Sequence, residues 1–222
     1  MSSAITVFRD LLPFFGTVVL YFGVLIPYDQ PSALAVILKC LPIISLVLFV
    51  SRHGEANGEG FKHSRRIATG LLCCCVGDAL LLWNHFELGM LAFSVGHLNY
   101  IAAFGYKPLK LPIGVGTFAI GLYVTNYVYS GLHGILVIAV PIYIELICVV
   151  VWRATARVGF QNSSYTWSSL CCCAGSILFA ISDLLIAIDK FCHPLANTQI
   201  LVMSTYYAAQ LGISLLVVGC SS

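Results

Sequence analysis

The sequence predicts an all-α fold, a polytopic membrane bundle of eight transmembrane helices. Three observations lead there. Hydrophobic residues make up 59% of the 222-residue chain. Charged residues make up only 9%, against about 25% in soluble domains, so apolar character runs along the whole chain rather than marking one core. The apolar residues also fall into eight runs, each near the roughly 20 residues that a helix needs to cross hydrocarbon. Helices are the expected form because each satisfies its own backbone in lipid.

The runs follow in order. Residues 11–27 come after "MSSAITVFRD", which offers no small-residue cleavage pattern, so the first run reads as an uncleaved signal anchor. Residues 32–50 are entered through "PYDQPS" and hold Lys39. Residues 66–83 follow the basic linker "SRHGEANGEGFKHSRR" and hold Asp78. Residues 88–105 follow "NHFE" and hold His97 and Tyr100. Residues 109–127 overlap the linker "GYKPLK". Residues 131–152 begin in "YSG" and hold Tyr143 and Glu145. Residues 166–188 follow "RATARVGFQNSSY" and hold Ser182 and Asp183. Residues 197–219 follow "DKFCHPLAN" and hold Tyr206, Tyr207 and Gln210. No linker is long enough for a further domain, so residues 1–222 read as one.

Charge placement tests the count. With eight spans both ends of the chain share one side, and that side holds Arg9, Arg52, Lys62, Arg65, Arg66, Lys107, Lys110, Arg153 and Arg157. The opposite side has Lys190 alone. The positive-inside rule then puts both termini in the cytoplasm. The basic residues are expected to serve topology and contact with anionic lipid. The net charge of +2 says little about partners, and no nucleic acid is expected among them.

A weak repeat is visible. Asp78 precedes Phe86, and a helix with Tyr100 follows. Asp183 precedes Phe191, and a helix with Tyr206 and Tyr207 follows. A cysteine triplet lies ahead of each aspartate. The pattern suggests two parallel four-helix halves. The triplets read as small packing residues: neighbours on a helix point about 100° apart and cannot share one ion. No metal motif, nucleophile elbow or phosphate loop is present.

Charge inside a membrane costs about 2.5–3.5 kcal/mol per group even on insertion scales, so Lys39, Asp78, Glu145 and Asp183 call for reasons. Lys39, Asp78 and Asp183 fall at one depth, roughly 7–11 Å from the non-cytoplasmic surface at 1.5 Å per residue. His97 and Tyr100 share a helix face, as do Tyr206 and Gln210. Together with Tyr207 and Ser182 they are candidates to line a polar cavity. A structural Asp–Lys pair, a packing histidine and satisfied bundle tyrosines are the plainer alternatives. Glu145 reads as structural or gating. Two carboxylates suit either ion-coupled transport or acid–base hydrolysis of a lipid through an oxocarbenium ion. Composition does not choose between these, nor does it remove a purely structural role.

A resemblance does choose. "LKCLPI", "GLLCCCVGDALLLW", "GMLAFSVGHLNYIAAFG", "PIYIELICVVVWRA", "SDLLIAIDKF" and "MSTYYAAQL" resemble, in order and spacing, the YhhN family of membrane proteins, most nearly its animal lysoplasmalogenases. The resemblance implies an eight-helix enzyme of the endoplasmic reticulum. It would hydrolyse the vinyl ether of lysoplasmenylcholine or lysoplasmenylethanolamine, with water and without cofactor or metal. Asp78 and Asp183 fall on the family's aspartates and are the implied catalytic pair. Lys39, His97, Tyr100, Tyr143, Ser182, Tyr206, Tyr207 and Gln210 become candidate substrate-binding residues. The sequence departs from the family at Glu145 and Asn99, where apolar residues are expected, which argues against catalysis by either. A homodimer is compatible with the sequence, though no small-residue motif marks its interface.

Overall fold

The computed structural model describes residues 4–26, 31–54, 57–158 and 167–219. Parts of "PYDQPS", "SRHGEANGEGFKHSRR" and "RATARVGFQNSSY" lie outside them, as do both extreme ends. The described residues form eight α-helices and no strand. These are α1 Ala4–Val24, α2 Ala33–His53, α3 Gly58–Leu82, α4 Phe86–Phe104, α5 Leu111–Val128, α6 Leu136–Arg157, α7 Trp167–Phe191 and α8 Thr198–Ser214. Short 3₁₀ segments, Tyr129–Gly131 and Leu215–Gly219, extend α5 and α8.

Each apolar run lies mainly on one helix, but the helices overrun the runs. α1 starts at Ala4, α3 at Gly58, and α6 continues to Arg157. Hydropathy marks the stretch that fits hydrocarbon, not the point at which the helix ends. Six helices are long and apolar enough to cross a membrane, α3 and α4 being the exceptions. The chain is therefore a multi-pass membrane protein. α3 is diluted by Arg65, Arg66 and Asp78, and α4 by Glu87, His97 and Asn99. These helices carry much of the polarity inward, since Asp78 and His97 are buried. Val19, Leu122 and Ile138 point outward and are exposed.

Contacts close a ring. α2 packs on α3, α3 on α4, α4 on α6, α6 on α7, α7 on α8 and α8 on α2. α1 lies outside on α2, and α5 outside on α6. A shift of four helices maps every one of these contacts onto another. Two hairpins owe their closeness to glycine. A Cβ on Gly70 would lie 2.3 Å from Tyr100 across the α3–α4 contact, and one on Gly212 would lie 2.5 Å from the Cys171 carbonyl across α7–α8. Small residues let membrane helices approach in this way.

The end of α4 is held unusually well. Arg66 donates to the carbonyl of Ala102 at 2.7 Å, Arg157 to that of Phe104 at 2.7 Å, and Arg153 to that of Gly105 at 2.8 Å. His63 Nδ1 lies 2.8 Å from the Ala103 carbonyl. Four successive carbonyls that the helix cannot satisfy itself thus meet basic groups. Three of the nine basic residues thus have a further role, in capping a helix. Arg153 is buried, and Arg66, Arg153 and Arg157 are engaged on backbone.

Candidate active site

The polar residues singled out by the sequence gather into three networks. The first joins α2, α3 and α8. Lys39 Nζ lies 3.2 Å from Asp78 Oδ1, with 5% and 4% of the two side chains exposed. The Tyr206 hydroxyl donates to Asp78 Oδ2 at 2.7 Å, and the Tyr207 hydroxyl donates to the Lys39 carbonyl at 2.9 Å. A buried ion pair is tolerable only when its remaining hydrogen-bonding capacity is also met, and Tyr206 helps to meet it on the carboxylate side, while Tyr207 ties the α2 backbone beside it to α8.

The second network joins α4, α6 and α7. The Tyr143 hydroxyl donates to Asp183 Oδ2 at 2.7 Å. His97 Nε2 lies 3.2 Å from the Tyr143 oxygen and 3.9 Å from Asp183 Oδ2. A phenol has one proton. With that proton on the carboxylate side, its oxygen accepts from His97 Nε2–H. If Asp183 carries a proton instead, all the donors can reverse. The row is therefore a chain along which a proton can pass in either direction. The third network, Tyr100 to Gln210 Oε1 at 2.7 Å, is buried between α4 and α8.

Phe93 and Phe179 partition the first two networks. Their ring centroids lie 6.3 Å apart, and both rings pack on Tyr206. Phe179 also packs on His97, at 4.7 Å. The two aspartates, expected in one pocket, thus sit in separate settings. Phe93 and Phe179 escaped the sequence reading because an aromatic in an apolar run carries no distinguishing signal.

One large cavity, about 430 Å³, opens between α5, α6 and α7 and reaches inward to α4 and the end of α3. Its lining is apolar apart from a few groups, chiefly Tyr143, Asp183 and Thr117. Asp183 is 14% exposed. Asp78, His97, Tyr100, Ser182, Tyr206, Tyr207 and Gln210 do not line it. Ser182 instead donates to the Val202 carbonyl on α8 at 3.1 Å. The expected polar cavity is thus an apolar one touched by a single carboxylate, with most of the other polar groups spent on one another. Lys39 lines only a cleft of about 10 Å³, beside Tyr21, Leu38 and Leu82. Glu145 stands at the α5–α6 contact, where a Cβ on Gly121 would lie 2.9 Å from its Oε1. Asn99 donates to the Val95 carbonyl of its own helix.

A ring of membrane helices, with a carboxylate–phenol–imidazole row at the wall of a laterally open apolar cavity, defines a multi-pass membrane protein equipped to receive an apolar molecule beside a titratable group. The YhhN family model matches residues 34–217, and the chain belongs to that family. It is 37% identical to Lysoplasmalogenase TMEM86A of Bos taurus, over 97% of this chain and 92% of that one. Against the Homo sapiens TMEM86A the identity is also 37%, over the same shares. Lysoplasmalogenase TMEM86B of Sus scrofa is 38% identical, over 92% of this chain and 84% of the relative. No solved structure matches the chain.

Proposed function

We propose that this chain is a lysoplasmalogenase, cleaving the vinyl ether of lysoplasmenylcholine or lysoplasmenylethanolamine to a fatty aldehyde and the glycerophospho-base. The observation that carries the mechanism is the cavity that reaches Asp183 and stops short of Asp78. Asp183, protonated, gives its proton to the vinyl carbon remote from oxygen, leaving an oxocarbenium ion facing the new carboxylate. Water adds to the cationic carbon and loses a proton to Asp183, directly or through the Tyr143 hydroxyl. The resulting hemiacetal collapses as its hydroxyl proton passes to the departing glycerol oxygen. The water consumed is balanced by one alcohol and one aldehyde, and Asp183 ends protonated as it began.

Asp78 takes the other role. Paired with Lys39 and capped by Tyr206, it fixes α2, α3 and α8 around the site. Losing one partner of a buried pair costs about 3–5 kcal/mol, while losing both together costs far less. Asp78→Asn should therefore nearly abolish activity and lower the yield of folded protein, and Lys39→Met added to it should restore part of both. Asp183→Asn should fold well and turn over no lysoplasmenylcholine. Aldehyde release in detergent checks each variant, with a plain lysophospholipid as control. Full turnover by a folded Asp183→Asn protein would overturn the assignment.

The same reading has all eight helices spanning the membrane of the endoplasmic reticulum, with both termini cytoplasmic. The nine basic residues at one end of the bundle support it. The matching contacts of α1–α4 and α5–α8 support two parallel halves.

A further inference from the structure

A lysine lies against the aromatic lining at one end of the cavity. Lys190, in the last turn of α7, holds its Nζ 4.5 Å from the centroid of the Phe86 ring. Phe86 packs edge-on against Phe191 at 5.8 Å, and both rings line the cavity. Lys190 is exposed and forms no ion pair among the described residues. Its neighbour Asp189 is already engaged, accepting from the Leu195 amide at 2.8 Å and the Thr198 hydroxyl at 2.6 Å. An unpaired ammonium over the rim of an apolar cavity is complementary to an anion on an otherwise apolar guest.

Register gives the distance. Asp183 and Lys190 stand two turns apart on α7, on nearly the same face and about 10.5 Å apart along the axis at 1.5 Å per residue. In a lysoplasmalogen, seven bonds run from the protonated vinyl carbon to phosphorus. At roughly 1.2 Å of advance per bond in an extended chain, that is about 8–9 Å. The phosphate oxygens and the lysine stem cover the remainder.

Resting on the lysoplasmalogenase reading, we propose that Lys190, seated on Phe86, binds the phosphate of the lysolipid and sets the vinyl ether against Asp183. The hydrocarbon chain then runs the other way, along Ile181, Ile177 and Val151 of the cavity wall. Lys190 is a specificity residue: it selects an ether that bears a phosphate one glycerol away.

The test uses two saturated, uncleavable ethers with the full-length protein in detergent: an alkyl lysophosphocholine and the matching alkylglycerol, which lacks phosphate. Lys190→Gln should weaken binding of the lysophosphocholine about five- to tenfold, the order expected for one charge-assisted contact at a partly open site. Alkylglycerol binding should not change. Lys190→Arg should keep most of the affinity for the phosphate ether. Added salt should weaken phosphate-ether binding to the wild type more than to Lys190→Gln. With lysoplasmenylcholine the loss should fall on KM rather than kcat. Equal losses on both ethers, or none on the phosphate ether, would overturn the proposal. Wild-type protein that binds the phosphate ether as described yet releases no aldehyde would sink the catalytic reading and leave the phosphate site standing.

Discussion

Removing the phenol of Tyr143 tests the proton chain without touching either carboxylate. Its hydroxyl donates to Asp183 and lies 3.2 Å from His97 Nε2, so Tyr143→Phe interrupts the chain and leaves the wall apolar. Turnover should fall about 100-fold, within the usual range for a lost proton-transfer partner, while KM moves little. Steady-state kinetics on lysoplasmenylcholine reads both. His63 offers a second residue-scale test, outside the apolar run of α3. Burial lowers its pKa to about 4, helped by Arg157 and Arg66, while the bond to Ala103 works the other way. Its Nε2 is buried without a partner, so a second ring proton has nowhere to go. The unfolded chain takes that proton near pH 6.5. Stability from neutral His63 is therefore complete above about pH 6.5 and is lost as pH falls toward 4. Melting temperature should decline across that window, and less so in His63→Gln. At this scale Asp78, Asp183, Lys39 and His97 were legible because polarity inside an apolar run must have a reason, whereas Tyr143 came only with the family resemblance. Which carboxylate took which partner was not, because pairing depends on helix rotation.

Among the elements, α5 is the outer wall of the cavity: it sits outside the ring, packs chiefly on α6, and lends Thr117, Ile120, Gly121 and Val124 to the lining. Gly121 sets its approach, since a Cβ there would lie 2.8 Å from Cys148 Sγ. Gly121→Leu should push α5 off α6 and fill the cavity edge. The expected result is a KM several-fold higher, with an overpacking cost of about 1–3 kcal/mol visible as a lower melting temperature. The apolar runs located all eight helices in the sequence. Their ends were less legible, because α1, α3 and α6 continue past the hydrocarbon-length stretches that hydropathy marks. The capping of α4 by Arg66, His63, Arg157 and Arg153 also lay hidden: a basic residue next to a span looks the same whether it meets lipid headgroups or a carbonyl.

Over the whole molecule, the two sets of four helices repeat their contacts but not their contents. Lys39 and Tyr143, Gly70 and Gly175, Asp78 and Asp183, and Leu82 and Ala187 share one sequence offset to within a residue. Yet the Tyr143–Asp183 side holds about 430 Å³ of cavity and the Lys39–Asp78 side about 10 Å³. Tyr21 and Phe22 of the first set pack edge to face with Tyr207 of α8, next to that closed cleft. The repeat was faintly visible in the sequence through Phe86 and Phe191. Its asymmetry was not, because an aromatic that fills space and one that borders it read alike. On the proposed reaction, the open cavity, apolar along its length and cationic only at one rim, would also sort what leaves it. A fatty aldehyde would drain sideways between α5 and α7 into the bilayer, while a glycerophospho-base, having lost its tail, would depart past Lys190 into water. The two halves of the cleaved lipid would thus be delivered to different phases.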